Sequence, residues 1–242
     1  MNSLQVLSTS SICLSKNLND EGDDSILPPK KVGKGYLLAI ADGVGKYDGA
    51  KIASQTAIDY LDNLEIVDDA IDFKHIFKKI KKRLEMIADE SPELSKMATT
   101  LTACYVTKET ITIGHTGDSR AYVMNNHKLQ QLTSDQTEHE MLLSNGIFTK
   151  NQLKNHHRKS VLVSALSPRL ELSIQEIEIK FESQIIYLMS DGAYNFWEDS
   201  PKFSNSTMET TTTFCASLGK RIKDKGPKDD FSIVGIQLRK LT

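Results

Sequence analysis

The sequence is short of the features that mark specialised proteins. Cysteine is scarce: Cys13, Cys104 and Cys215 are odd in number and far apart among 242 residues, so they make neither a disulfide framework nor a thiolate zinc site. That usage fits a reducing, cytoplasmic setting. Neither sign of charge dominates, with 30 Lys and Arg against 32 Asp and Glu, which argues against a dedicated nucleic-acid binder. No window approaches the roughly 18 uninterrupted apolar residues of a membrane span. The opening MNSLQVLSTSSICLS has no basic segment ahead of an apolar one and does not read as a secretory signal. Repeats, low-complexity tracts and long linkers are also missing. What is there, 39% hydrophobic and 26% charged residues, is too apolar for disorder and enough for a substantial core. A single domain spanning 1–242, and a monomer, are expected.

Strand signals dominate. Tyr36 to Ala41 is an apolar run that halts at Asp42-Gly43. Thr100 to Val106 and Thr110 to His115 flank Thr107-Lys108-Glu109 and predict a hairpin; Ala121 to Met124 and Leu129 to Leu132 predict another. Leu172 to Ile179, Ile185 to Met189 and Phe231 to Leu238 complete the set, while Pro28-Pro29-Lys30-Lys31 reads as a turn. Helical spacing runs through Ala53, Ala57, Tyr60, Leu61 and Leu64, and again from Phe73 to Ile87. Asp135 to Ser144 and Thr210 to Lys223 also read as helical. The mixture predicts an α+β domain with helices covering one sheet or a pair of sheets.

The chemistry sits at strand ends. Asp42, Asp191 and Asp229 each border an apolar strand run, and Asp118 lies in Gly117-Asp118-Ser119-Arg120 between two of them. Any one of these is readily explained as a turn residue whose side chain caps the local backbone. Four together suggest more, because strand termini on one side of a sandwich converge, and gathered carboxylates repel unless a cation neutralises them. An all-oxygen donor set selects hard divalent ions, Mg²⁺ or Mn²⁺. Two such ions can activate a water for attack on phosphorus.

At these residues the chain resembles the metal-dependent serine/threonine protein phosphatases (PPM, or type 2C), especially their bacterial members. The motif ADGMGG followed by AS is similar to Ala41-Asp42-Gly43-Val44-Gly45-Lys46 through Ala53-Ser54. G-T-T-L resembles Ala98-Thr99-Thr100-Leu101. GDSRAY and L-T-x-D-H resemble Gly117 to Tyr122 and Leu132 to Gln136. LCSDGL resembles Leu188 to Ala193, and D-N-x-T/S resembles Asp229-Asp230-Phe231-Ser232. The blocks keep the family's order across nearly the whole chain. The resemblance implies a central β-sandwich of two antiparallel sheets flanked by pairs of helices. It implies that Asp42 bridges two metals with the Gly43 carbonyl as a further ligand, that Asp191 and Asp229 complete the site, and that Asp118 with Asp191 holds a third ion. It also implies phosphoserine and phosphothreonine on proteins as substrates, a metal-bound hydroxide as nucleophile and a cognate kinase as the opposing enzyme.

Departures cluster near the amino terminus. The family's R-x-x-N-E-D is met by Lys16-Asn17-Leu18-Asn19-Asp20-Glu21 in spacing, with Lys for Arg, and by Asp23-Asp24-Ser25-Ile26 in its tail. Which of Asp20, Glu21, Asp23 and Asp24 reaches the metals stays open; Asp24 is preferred because Ile26-Leu27 continue as a strand. Lys16 can attract phosphate as a point charge, without the bidentate fork of Arg. Tyr47 stands where members often carry a His that protonates the leaving alkoxide, and Gln136 stands for the His of L-T-x-D-H. A phenol of pKa about 10 still holds a proton to donate, though it is poorly matched to neutral pH. The segment 142–165 corresponds to the family's variable flap, with His156, His157 and Arg158 positioned to meet acidic phosphopeptides or simply to face solvent.

Two other readings fit parts of the sequence. Cys215 to Arg221 has the C-x5-R spacing of cysteine-dependent phosphatases, but Thr211-Thr212-Thr213-Phe214 before it is helical in pattern, so Cys215 is expected to be a buried helix residue. A catalytically weak or inactive relative that only binds a phosphoprotein would explain Lys16 and Tyr47. It would not explain the retained aspartates, which are costly when buried without metal. The lysines from Lys78 to Lys82 are expected on a solvated helix face, and Trp197 in packing.

Overall fold

The computed structural model of the chain describes residues 4–45, 49–66, 70–146, 148–153, 161–199 and 203–241. Two five-stranded antiparallel sheets pack face to face. One runs β1 (Leu4–Leu14), β10 (Phe231–Lys240), β9 (Ile185–Met189), β6 (Arg120–Asn125), β7 (Lys128–Gln131). The other runs β2 (Ser25–Val32), β3 (Gly35–Ala41), β4 (Leu101–Val106), β5 (Thr110–Thr116), β8 (Gln175–Lys180). Helices α1 (Ala50–Asp62) and α2 (Phe73–Glu90) cover the second sheet. On the first lie α5 (Asp191–Asp199) and α7 (Thr211–Lys225). Shorter helices α3 (Glu138–Ser144), α4 (Lys150–Leu153) and α6 (Asn205–Met208) and a 3-10 helix at Pro92–Lys96 complete the described elements. None of the described helices is long and apolar enough to cross a membrane.

The central strands are apolar on both faces because both faces are covered. Along β3, Leu38 and Ile40 enter the space between the sheets with Ile113, Leu188 and Val234, while Leu37, Ala39 and Ala41 meet α1 and α2. In β9, Ile186 and Leu188 point inward and Tyr187 and Met189 pack beneath α5 and α7. The period of two therefore serves two cores at once, and the strands read as unbroken apolar runs. Full burial of side chains such as Phe73, Phe77 and Tyr187 is worth roughly 1.5–3 kcal/mol each. Side-chain caps fix where helices start: Asp72 accepts from the His75 amide (2.8 Å) and Thr210 from the Thr213 amide (3.2 Å).

The Pro28–Lys31 turn expected from sequence is not a turn. It lies inside β2, an edge strand, with a register shift between Leu27 and Lys30 that accommodates the two prolines. The reversal falls one step later, at Gly33 (φ 55°). Asp191-Gly192 is likewise not a plain turn, for α5 begins at Asp191. The helix expected from Asp135 begins at Glu138, capped by Thr137, and the strand expected from Leu172 begins at Gln175. The edge strand β1 has no counterpart among the sequence expectations. Cys215 is buried in α7 at 1% exposure, and Trp197 stacks on Phe203 (5.6 Å) and meets Phe214 edge to face (5.3 Å), both as expected. Lys78, Lys79 and Lys82 face solvent, whereas Lys81 is half-buried and donates to the carbonyls of Ser167 (2.7 Å) and Leu170 (2.8 Å).

Candidate metal centre

Antiparallel pairing brings many strand ends to one edge of the sandwich. β1, β3, β5 and β9 finish there; β2, β4, β6 and β10 begin there. The residues just outside these strands therefore meet although they are far apart in sequence. Asp42, Asp118, Asp191 and Asp229 line a single pocket of about 450 Å³ with Lys16, Gly43 and Thr100. Asp20, Glu21 and Asp23 line it too. Asp24 lies behind that wall, buried at 1% exposure.

The local backbone explains why these residues stay put. Asp42 leaves β3 held on both sides by the Ala98–Leu101 segment. Its amide donates to Thr100 Oγ1 (3.1 Å), and its carbonyl accepts from the Thr100 amide (2.9 Å) and Thr99 Oγ1 (3.0 Å). Val44 N–H donates to the Ala98 carbonyl (2.9 Å). A Cβ on Gly43 would meet the carbonyl oxygens of Asp23 (2.7 Å) and Ala50 (2.8 Å), so the chain passes there only as glycine. At Gly192 the constraint is harsher, since a Cβ would lie 2.0 Å from the Asp230 carbonyl oxygen. Asp191 sits in the first turn of α5, where amides and helix dipole favour a negative charge.

Electrostatics at this edge is set first by burial and then by the crowding of carboxylates. Burial, then the charges of Asp24, Asp191, Asp118 and Asp229, raise the Asp42 carboxyl well above the usual range. Asp24 is pushed up to about 7, first by burial; the Ser232 and Ser190 hydroxyls soften the shift, and Asp230 and Asp191 add to it. Neither Asp24 oxygen has a hydrogen-bond partner at bonding distance. Asp118 is raised to about 7 by burial and by Asp191, and Asp191 to about 6 by burial and Asp229. Arg120 lowers both, a fixed cation held by Asp135 through Nε (2.8 Å) and Nη2 (2.6 Å), bonded also to Glu198, and lying 3.8 Å over the Tyr194 ring.

Among the described residues no three Asp, Glu, His or Cys side chains are drawn together as tightly as the donors of a bound ion. The residues nonetheless suit one. Their donors are all oxygen, Asp24 presents two orphaned buried oxygens, and burial followed by the neighbouring carboxylates raises the pKa of Asp24 and Asp42. A divalent cation of the Mn²⁺ or Mg²⁺ type fits that set.

Several features were not legible in the sequence. Asp230 accepts from the amides of Lys16 (2.9 Å) and Asp23 (2.6 Å), and so pins the segment that carries Lys16 to the pocket. The only hint is that Asp230 occupies the Asn position of D-N-x-T/S. Gln136 ties both feet of the expected flap to the turn before Asp118. Its Oε1 accepts from Gly117 N–H (3.1 Å) and Thr116 Oγ1 (3.2 Å), its amide donates to the Gly117 carbonyl (2.8 Å), and its carbonyl accepts from Val163 N–H (2.9 Å). Backbone bonds thus join 136–138 to 161–163 and Leu166 to Thr99 on either side of the segment 142–165, and Leu162 reaches the pocket wall. Lys46, Tyr47, His156, His157 and Arg158 lie outside the described residues.

A model of the family described as Protein phosphatase 2C matches residues 18–224. The serine/threonine phosphatase stp of Listeria monocytogenes is 29% identical over 168 residues, which span 66% of this chain and 67% of that protein. In three dimensions the chain is similar to serine/threonine phosphatase Stp1 from Staphylococcus aureus, with a TM-score of 0.83, 21% identity, and 98% and 97% of the two chains covered. It is also similar to the catalytic domain of the serine/threonine protein phosphatase PstP in complex with two manganese ions, with a TM-score of 0.76, 22% identity, and 97% and 99% covered. Both likenesses establish the two-sheet sandwich with its flanking helices.

Proposed function

The chain belongs to the protein phosphatase 2C family, and we propose that it hydrolyses phosphoserine and phosphothreonine on proteins at a centre of Mn²⁺ or Mg²⁺ ions held by this carboxylate edge. Protein phosphatase activity is the family's chemistry; the ions, their number and the residue roles are the proposal. Asp24, Asp42, the Gly43 carbonyl, Asp191 and Asp229 would hold a pair of ions, and Asp118 with Asp191 a third. Bound there, the ions supply Lewis acidity and an activated water for in-line attack on phosphorus.

The remaining roles fall to residues of the chain. Lys16 on the pocket wall meets a phosphate oxygen as a point charge, and Asp230 keeps it in place through the backbone. Thr99 and Thr100 fix the Asp42 backbone. Gln136 holds the flap to the turn carrying Asp118. Tyr47 is proposed as proton donor to the departing alkoxide, which predicts faster turnover of aryl than alkyl phosphates. No side-chain nucleophile is required. Cys215, the one alternative, is buried in α7 with its thiol pushed up to about 12 by burial, which leaves it protonated and shielded.

The observation that carries this reading is the meeting of Asp42, Asp118, Asp191 and Asp229 in one pocket, with the two unpartnered oxygens of buried Asp24 behind its wall. A merely phosphoprotein-binding relative has no use for that many uncompensated carboxyl groups. The test is phosphate release from a phosphothreonine peptide. Release is expected with Mn²⁺ and abolished by EDTA or by Asp42→Ala or Asp191→Ala. Metal-independent release, or activity surviving both substitutions, refutes the proposal.

A further inference from the structure

A second cavity, of about 330 Å³, adjoins the metal pocket and shares Asp191 and Asp229 with it. Its apolar lining is Phe196 of α5 and Ile222 of α7. Lys225, the last residue of α7, and Lys228, in the loop leading to β10, also border it. Both lysines are exposed, and neither enters a salt bridge among the described residues. The Lys225 ammonium instead lies 5.1 Å from the Phe196 ring centroid.

The charges of the two spaces differ. Lys16 is the single described cation lining the metal pocket, amid acidic side chains, so an acidic residue near a phosphoserine would be repelled along most of that surface. Beyond Asp229 the sign changes. Setting aside the two shared metal-site aspartates, the second cavity offers Lys225 and Lys228 against Asp199, one net positive unit. Its apolar wall at Phe196 suits a methylene stem, and its lysines a carboxylate at the tip.

We propose that this cavity is a substrate subsite for one acidic side chain, Asp or Glu, adjacent to the phosphorylated residue. The carboxylate meets Lys225 and Lys228, and the stem lies against Phe196. This rests on the phosphoprotein phosphatase reading and deepens it by naming a class of target sequence. One carboxylate suits the site better than an acidic run, since Asp199 shares the wall.

The test compares kcat/KM on phosphothreonine peptides that carry Glu, Ala or Lys at each of the two flanking positions in turn. At low ionic strength the wild-type enzyme should prefer Glu over Ala by about three- to tenfold at one of those positions, and the preference should shrink in high salt. The double variant Lys225→Glu/Lys228→Glu should reverse the order and favour the Lys peptide, a gain that misfolding cannot mimic. Indifference of the wild type to the flanking residue, or a Glu preference that survives in the double variant, overturns the subsite. Mn²⁺-dependent hydrolysis of p-nitrophenyl phosphate by the wild type separates the two levels. If it occurs while the peptide preference is missing, the subsite alone fails; if it does not occur, the catalytic reading fails and the subsite with it.

Discussion

At one end of the sandwich β2 turns into β3 at Gly33-Lys34, β4 into β5 through Thr107-Lys108-Glu109, and β6 into β7 through Asn126-His127; at the other end the same strands run out into Asp24, Asp42, Thr100 and Asp118. The first end satisfies itself locally. Thr107 Oγ1 accepts from the amides of Thr110 (3.0 Å) and Glu109 (3.2 Å), and Asn126 and His127 adopt the positive φ values (48° and 59°) that match a two-residue turn to strand twist. The second end satisfies itself only at long range, through bonds such as Lys16 to Asp230, and leaves carboxyl groups raised well above their usual pKa. One end is built for closure; the other gives up stability to gather charge.

The sharpest break in that comparison comes from the acidic end. Asp42→Ala should cost at least about a hundredfold in kcat. In EDTA it should leave the melting temperature unchanged or raise it, because one of several repelling carboxylates is gone. Addition of Mn²⁺ should raise the melting temperature of the wild type far more than that of the variant. A metal-free variant that melts well below the wild type would show that Asp42 serves the fold rather than the site.

His115 gives the next largest effect. It is wholly buried in β5, bonded through Nδ1 to Thr102 Oγ1 (2.9 Å) and through Nε2 to the Ser134 carbonyl (3.1 Å), and burial lowers its pKa to about 4. The unfolded chain, titrating near 6.5, then binds the proton that the folded chain refuses. Stability should fall as pH drops from about 6.5 to 4, by on the order of 3 kcal/mol from this group. Because the raised Asp24, Asp118 and Asp191 gain stability over the same range, the His115 share is read as the difference in urea midpoint between wild type and His115→Gln. That difference should shift in the variant's favour as pH falls from about 6.5 to 4.

Asp230→Ala should release the Lys16–Asp23 segment from the pocket mouth. Losing an acceptor for two amides costs about 1.5–3 kcal/mol locally, so KM for phosphopeptide should rise about tenfold or more while the melting temperature moves little. Asp230→Asn, which keeps an acceptor oxygen, should restore part of it. At the hairpin end the effects should be smallest and confined to stability. His127→Gly relieves a non-glycine positive φ and should stabilise by about 0.5–1 kcal/mol with kcat/KM unaltered. A catalytic change from His127→Gly would mean the two ends are not independent.

The same contrast governs what could be read in advance. Both tight hairpins were legible because their turn chemistry and flanking β-branched runs are contiguous. Likewise α1, α2 and α7 declared themselves by apolar spacing, since each buries one stripe. The aspartates of the acidic end were legible as separate strand-end residues, and their meeting in one pocket followed from antiparallel order. What escaped was whatever depends on a partner far away. β1 alternates through Ser8, Ser10 and Ile12, and its serines resemble loop residues until Ser8 is seen donating to Gln237 Oε1 (2.9 Å) beside α7. The prolines of β2 mimic a turn and are tolerated because that strand is an edge. Asp230 and Gln136 act through backbone groups of remote segments, which no local pattern announces.

Strands β1 and β10 lie early and late in the sequence and pair from Leu4 with Lys240 to Leu14 with Phe231, with Asp229 and Asp230 just ahead of the later one. The order of synthesis then matters. A nascent chain that has not yet extruded β10 holds an unpartnered first strand, a pocket wall without Asp229 and an untethered Lys16. The edge that gathers the aspartates therefore cannot close until β10 emerges, long after its partner β1, so this end of the sandwich is the last to form during synthesis.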